Sequence, residues 1–285
     1  MVTVDAPAKI NLYLHVTGKI DEGPRSGYHL LDSLIVFADF GDRIVAVPSD
    51  NLTLTIEGPF ADSLTVGNEN LVMQAARGLA DLIGIKAKAA ITLTKNLPVA
   101  SGIGGGSADA AAALKALAQL WNVSSDMGNL AVELGTDVPV CLNGCPSIIS
   151  GFGEIITQVP PLPACWLVLV NPMISVRTPA VFSQRIRSYT TTHPFDAAPG
   201  TAEEFGTLLA ERRNDLTTAA IELAPPISDV LKALADQPGS LLARLSGSGA
   251  TCFGLFAGKD EAGAAAEQIS RHQNGWWVKS AKICP

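Results

Sequence analysis

Pro98-Val-Ala-Ser-Gly-Ile-Gly-Gly-Gly-Ser-Ala-Asp-Ala-Ala-Ala-Ala113 sets four glycines and two serines directly before an alanine-rich helix former. Gly102, Gly104, Gly105 and Gly106 permit left-handed and crowded dihedrals, so backbone N–H groups there can converge on a ligand instead of pairing in a ladder. Ser107 stands where an N-cap is expected, and Ala110, Ala113, Leu114, Leu117, Leu120 and Trp121 recur behind it at helical spacing. A helix N-terminus aimed at the glycines favours an anion. The spacing fits neither familiar nucleotide loop: no Lys-Ser or Lys-Thr follows, and Gly102-Ile-Gly104 lacks a third glycine at the dinucleotide spacing. A plain strand-to-helix turn is the alternative, although such a turn seldom needs four glycines. The stretch reads as a phosphate cradle.

Outward from it, 285 residues suit about two domains. A chain 47% hydrophobic and 16% charged is compact, with little to spare for disordered tails. The net charge of -7 argues against nucleic-acid or anionic-membrane binding through a broad basic surface. An anionic ligand must then be held by a few lysines and backbone donors. The uncharged span 155–176 is broken by Pro160, Pro161, Pro163 and Pro172, so no membrane partner is expected. No apolar run follows a basic start, and a cytoplasmic location is expected. Cys141, Cys145, Cys165, Cys252 and Cys284 lack paired spacing and read as reduced structural residues.

Alternation predicts strands over residues 2–4, 10–16, 33–37, 43–47, 52–56 and 89–94, with a helix over 70–83 ended by Gly84. A further helix fits 126–134, capped by Ser125 and stopped by Gly135. Glycine and proline punctuate residues 144–163, which places a domain boundary near 155. Beyond it come a strand over 166–170 and helices over 179–187, 202–212, 215–223 and 227–235. Strands over 241–245 and 252–256, a helix over 260–271 and a strand over 276–280 follow. That order fits a split βαβ layer with helices on one face of an antiparallel sheet.

Three segments stand out together: Pro7-Ala-Lys9-Ile-Asn11-Leu12, the glycine loop, and Leu245-Ser-Gly-Ser-Gly-Ala-Thr251. With Gly27-Tyr-His-Leu30, Gly135-Thr-Asp-Val-Pro139, Thr178-Pro179 with Phe182, and Asn214-Asp-Leu216, they make the chain resemble the GHMP family of small-molecule kinases almost end to end. The resemblance implies a two-domain α+β fold. Residues 1–155 would form an ATP-binding, ribosomal protein S5 domain 2-like N-terminal domain, and 156–285 a ferredoxin-like C-terminal domain. It implies ATP and Mg²⁺ as cofactors and, as acceptor, the 2-hydroxyl of a methylerythritol moiety carrying a cytidine diphosphate group. A monomer or weak homodimer is expected, with no nucleic-acid partner.

By the same resemblance, Asp137 is the catalytic carboxylate and Lys9 its partner. By residue type alone, Asp137 reads first as a turn aspartate, and Lys9 equally as an exposed strand lysine. A carboxylate with an ordinary pKa of about 3.9 cannot deprotonate a ground-state alcohol. It orients the hydroxyl and takes the proton as the bond to phosphorus forms. Pro98, Gly102, Gly104, Gly105, Gly106, Ser107 and Asn70 are the ATP-binding candidates, with Ser107 the candidate for Mg²⁺. Asn70 is also simply a good N-cap, and Asp109 reads as a dipole-favoured residue of the first helical turn. Asn11, Tyr28, His29, Thr178, Phe182, Gly247 and Gly249 are the substrate-binding candidates, the aromatic residues suiting a stacked base. Phe182 as a core aromatic, Tyr28 as a loop anchor, and Gly247 and Gly249 as an ordinary hairpin stay open beside those roles. Ser101 replaces the glycine usual in the family, and Arg177 stands in a normally small, polar segment. Glu22-Gly-Pro-Arg-Ser26 lengthens the loop before Tyr28 and is expected to bulge outward.

Overall fold

The computed structural model describes residues 1–285 other than Ile186, Arg187 and Pro194. The chain begins with strands β1 (Val2–Asn11), β2 (His15–Lys19), β3 (His29–Val47) and β4 (Thr53–Glu57), then helix α1 (Leu71–Leu82), β5 (Ala90–Thr94) and α2 (Gly105–Leu120). Next come α3 (Gly128–Leu134), α4 (Val138–Asn143), β6 (Ser147–Gly151), β7 (Ile155–Gln158) and β8 (Trp166–Asn171). Helices α5 (Thr178–Gln184), α6 (Ala202–Ala210), α7 (Thr217–Leu223) and α8 (Pro226–Ala235) precede β9 (Leu242–Leu245), β10 (Cys252–Phe256), α9 (Lys259–His272) and β11 (Trp277–Lys282).

Several departures from the sequence reading have local causes. The strands expected at 33–37 and 43–47 are one strand, β3. Gly41 does not break it, because a Cβ there would fall 2.1 Å from Ala6 O, so glycine serves a close backbone approach. Helix α2 takes its N-cap from Gly104 at φ +64°, and Ser107 lies three residues inside. Helix α3 starts late because Asp126, not Ser125, accepts a hydrogen bond from the Gly128 N–H at 2.8 Å. Helix α7 starts at Thr217 because Asn214 Oδ1 accepts from the Leu216 N–H at 2.9 Å. Helix α4 is not among the elements expected from sequence, and the β6–β7 pair forms where glycine and proline suggest a linker. The end of the helix expected over 179–187 falls on Ile186 and Arg187, outside the described residues.

The chain divides into two compact units, and their segments interleave in sequence. One comprises Met1–Lys9, Phe40–Val99 and Gly104–Gly144, the other Ile10–Asp39, Ala100–Ile103 and Cys145–Pro285. The sequence expectation of one boundary near residue 155 is a linear division of the same chain.

In the first unit β4 runs parallel to β5, which pairs antiparallel with Arg43–Val47 of β3. Helix α1 packs on α2, and α2 on α4. Val72, Ala75, Ala76 and Leu79 of α1 are buried, as are Ala110, Ala113, Leu114 and Leu117 of α2. Leu120 and Trp121 are only half-buried, and the Trp121 Nε1–H donates to Lys88 O at 3.1 Å. Ala111 and Ala112 are buried too, so α2 is enclosed on nearly every side, which small side chains allow without steric conflict.

In the second unit β11, β8, β10 and β9 lie side by side in that order, all antiparallel. This is the split βαβ arrangement expected from sequence. Val168, Val170, Ile227, Val230, Leu234, Leu245, Phe256 and Ile269 share its core. Leu31–Ile35 of β3 pair antiparallel with β6 in the same unit. All five cysteines are free. Among the described residues no helix is long and apolar enough to cross a membrane.

Candidate active site

In the first unit the glycine loop and the Lys–Asp pair meet. Lys9, buried near the end of β1, places Nζ 2.9 Å from Asp137 Oδ2, and Asp137 immediately precedes α4. The Lys9 side chain lies along Gly104, where a Cβ would fall 2.9 Å from Lys9 Cε. Gly104 thus has two reasons to lack a side chain: its positive φ and the lysine beside it. From there α2 departs, and its first-turn amides have no carbonyl four residues behind them. Gly106 is exposed and Ser107 half-exposed, so this end is open to a ligand.

Leu71, first residue of α1, approaches the same turn, its Cδ1 3.5 Å from a Cβ built on Gly106. Asn70 caps α1: Oδ1 accepts from the Val72 N–H at 2.9 Å while Nδ2 donates to Thr65 O at 2.8 Å. The Asn70 amide is therefore occupied locally. Pro98 is buried at the start of the loop. Cys141 is also buried beside this site; burial, then the Asp137 charge, pushes its thiol up to about 12, which leaves it unreactive at neutral pH.

Asp109 is not the dipole-placed residue expected. It lies in the second turn of α2, buried, with Oδ2 2.6 Å from Lys95 Nζ, and the same ammonium lies 2.5 Å from Asp42 Oδ2. Asp42 Oδ1 accepts from the N–H groups of Asn96 (2.6 Å) and Leu97 (2.9 Å). Sequence reading missed Lys95 and Asp42. The available signal was a lysine closing the apolar strand β5, but a strand-end lysine is ordinarily solvated.

The second unit holds the acceptor-side candidates. Asn11 is buried; its Nδ2 donates to Ser33 Oγ at 2.8 Å, and its N–H donates to Ser246 Oγ at 3.2 Å. Ser246 Oγ in turn donates to Gly102 O at 3.0 Å. Gly102 (φ +77°) and Gly247 (φ +54°) abut, a Cβ on Gly102 falling 2.6 Å from Ser246 O and one on Gly247 2.8 Å from Gly102 O. Asn214 Nδ2 donates to Leu245 O (2.8 Å) and Gly247 O (2.7 Å), fixing the turn. Ser246 and Asn214 were quoted in sequence without a role. Ser246 follows strand β9, whereas Asn214 stands between Arg213 and Asp215, and nothing local marks either residue. Ser101 is buried, and its carbonyl accepts from the Thr251 N–H at 3.0 Å, a backbone contact indifferent to the missing glycine.

Thr178 Oγ1 lies 2.8 Å from Ser248 Oγ. One turn on, Phe182 stacks on His29, ring centroids 4.8 Å apart and planes 25° apart. Tyr28 is exposed and meets Phe152 edge-on at 5.9 Å. The longer loop is closed at its base by Ile20 N–H to Tyr28 O and Gly27 N–H to Ile20 O, both 2.8 Å, and Glu22, Gly23 and Pro24 are exposed. Arg25 folds back over the Tyr28 and Phe152 rings at 5.4 and 4.9 Å. Arg177 supplies the N-cap position of α5 without a side-chain capping hydrogen bond. Burial, then the charges of Lys19 and Arg185, lowers the His29 pKa, so its imidazole is neutral at neutral pH.

The model of the GHMP kinases N terminal domain matches residues 70–145, and that of the GHMP kinases C terminal matches residues 196–275. The chain is 49% identical over 284 residues to 4-diphosphocytidyl-2-C-methyl-D-erythritol kinase of Paramagnetospirillum magneticum, covering 99% of this chain and 98% of the relative. It is 54% identical over 286 residues to the enzyme of that name from Cereibacter sphaeroides strain KD131, covering 99% of each. A crystal structure of 4-(cytidine 5'-diphospho)-2C-methyl-D-erythritol kinase superposes with a TM-score of 0.78 at 32% identity, covering 99% of both chains. With both family models matched and relatives similar end to end, this chain belongs to the GHMP kinase family.

Proposed function

We propose that this chain is an ATP-dependent kinase that transfers the γ-phosphoryl group to the 2-hydroxyl of 4-diphosphocytidyl-2-C-methyl-D-erythritol, giving the 2-phosphate and ADP. The observation that carries the reading is the Lys9–Asp137 pair seated against Gly104 at the start of α2. Backbone amides from Gly104 to Ser107 hold the phosphates of ATP, with Pro98, Gly102 and the helix start at Asn70 on the nucleotide side. Asp137 orients the acceptor hydroxyl and takes its proton as the oxygen–phosphorus bond forms and the bond to the ADP oxygen breaks. Lys9 holds that carboxylate in place.

Mg²⁺ suits this chain through Ser107, whose half-exposed hydroxyl sits in the first turn of α2. Among the described residues no group of three or more His, Cys, Asp or Glu could hold a metal. When bound, such an ion would be held by the Ser107 hydroxyl together with phosphate and water and would neutralise charge on the transferring group.

On the acceptor side Tyr28, His29 and Phe182 take the cytosine, with Asn11, Thr178, Gly247 and Gly249 completing the contacts. A neutral His29 offers one donor and one acceptor nitrogen to the polar edge of the base. We further propose a cytoplasmic monomer or weak homodimer that binds neither nucleic acid nor membrane.

The test is ADP release with a panel of alcohols: the diphosphocytidyl substrate, homoserine, mevalonate and simple sugars. Turnover with the first alone is expected; preference for another acceptor, or silence with all, overturns the reading. Phe182→Leu should raise the acceptor KM about 5- to 100-fold, the worth of one base–aromatic stack, and leave the ATP KM unchanged.

A further inference from the structure

The cluster of Lys95, Asp42 and Asp109 is poorly explained by stability. One ammonium serves two carboxylates, and all three side chains are at most 4% exposed. Asp109 Oδ1 is buried with no hydrogen-bond partner among the described residues. Apolar residues of similar size commonly stabilise a fold as well as or better than such a group. What the cluster does have is a place. Lys95 directly follows β5, where the glycine stretch departs, and its backbone N–H and C=O are pinned to Glu57 O (2.7 Å) and the Phe60 N–H (3.2 Å). Asp42 holds the next two amides of the departing chain, and Asp109 sits on α2 where the loop arrives. Lys95 Nζ lies 3.1 Å from a Cβ built on Gly105, directly under the first residue of α2.

We propose that Lys95, Asp42 and Asp109 are positioning residues for the nucleotide: they fix the exit from β5 to the start of α2, and so set the direction of the amides that hold the ATP phosphates. The inference rests on the kinase reading above. The three side chains are sealed, so they would act through the loop they hold. Its consequence is selective, because a loop misplaced by about 1 Å can cost on the order of a hundredfold in rate or affinity.

Asp109→Ala cuts only the tie to α2 and leaves Lys95 and Asp42 as a neutral pair. It should melt at or above the wild-type temperature, raise the ATP Kd about tenfold or more, and move the acceptor KM by less than about twofold. Asp109→Asn, whose amide oxygen can still accept from Lys95 Nζ, should restore ATP affinity to within about threefold of wild type. Should Asp109→Ala not fold, Asp109→Leu, which fills the space without the hydrogen bond, takes its place with the same expectation. Wild-type ATP affinity in the folded Ala or Leu variant would overturn the proposal, as would equal loss for ATP and acceptor. If the wild-type protein itself fails to bind ATP by calorimetry, the kinase reading fails first and this proposal with it.

Discussion

Lys9 with Asp137, and Lys95 with Asp42 and Asp109, are built from the same two residue types, and both lie against the first residues of α2. They differ in access to water. The Asp137 side chain is 35% exposed against 4% for Lys9, whereas Asp42, Lys95 and Asp109 are 0%, 2% and 4% exposed. A carboxylate that receives a proton from an alcohol has to be reachable by that alcohol. Sealed carboxylates can only hold. Residue type therefore does not distinguish the two sites in this unit; exposure does.

The hardest test of that contrast is Asp137→Asn. Removing the exposed carboxylate should lower kcat about 10²- to 10⁴-fold, the usual worth of a positioned acid or base, while the ATP Kd stays within about threefold. ADP release and calorimetric titration measure the two quantities. Near wild-type turnover in this variant would remove Asp137 from the reaction and erase the distinction.

The opposite profile is expected of Lys95→Met. The buried Asp42 carboxylate would then be left without its ammonium, a loss of about 3–5 kcal/mol in urea unfolding. Lys9→Met should cost about 1 kcal/mol, because the Asp137 left behind can rehydrate. Equal costs at the two sites would mean that burial is not what sets them apart.

The same contrast explains what could be read from sequence. The glycine stretch, Lys9 and Asp137 lie within contiguous segments whose residue types carry meaning at short spacing, so the glycine loop ahead of α2 was legible as a loop-to-helix turn and the flanking segments pointed to the family. The antiparallel split βαβ sheet was legible too, because β8 and β10 are short continuous apolar runs, as buried strands are, and α9 follows the helical period. The interleaving of the units was not, since it depends on which strand segments share neighbours in space. Lys95, Asp42 and Asp109 are separated by 53 and 14 residues, and nothing local marks a charge whose partner is that distant. Asp109 was misread for this reason: a helix-start aspartate has a sufficient local explanation, and only the fold supplies the lysine. Asn214 and Ser246 likewise act through carbonyls and amides far along the chain.

The smallest predicted effect is a slope rather than a loss. Burial, with the Asp42 charge adding to it and Lys95 opposing it, pushes the Asp109 carboxyl up to about 8. Lys95 stays protonated throughout: burial alone would lower its pKa, but Asp109 and Asp42 more than offset that and raise it. In the unfolded chain an aspartate titrates near its ordinary value of about 3.9. Between the two values the folded protein retains a proton that the unfolded chain has released. The folded state binds more protons there, so this group makes stability fall as pH rises from about 4 to about 8, with no further change above. Asp109→Asn keeps the acceptor for Lys95 and removes the titration. The difference in unfolding free energy, wild type minus variant, should therefore decline from pH 5 to pH 8 and then level off. Parallel stability curves over that window would mean that Asp109 stays ionised beside Lys95 in the folded protein. One lysine would then hold two full charges out of water, and the contrast between the open and sealed sites would have to rest on exposure alone, without a difference in protonation.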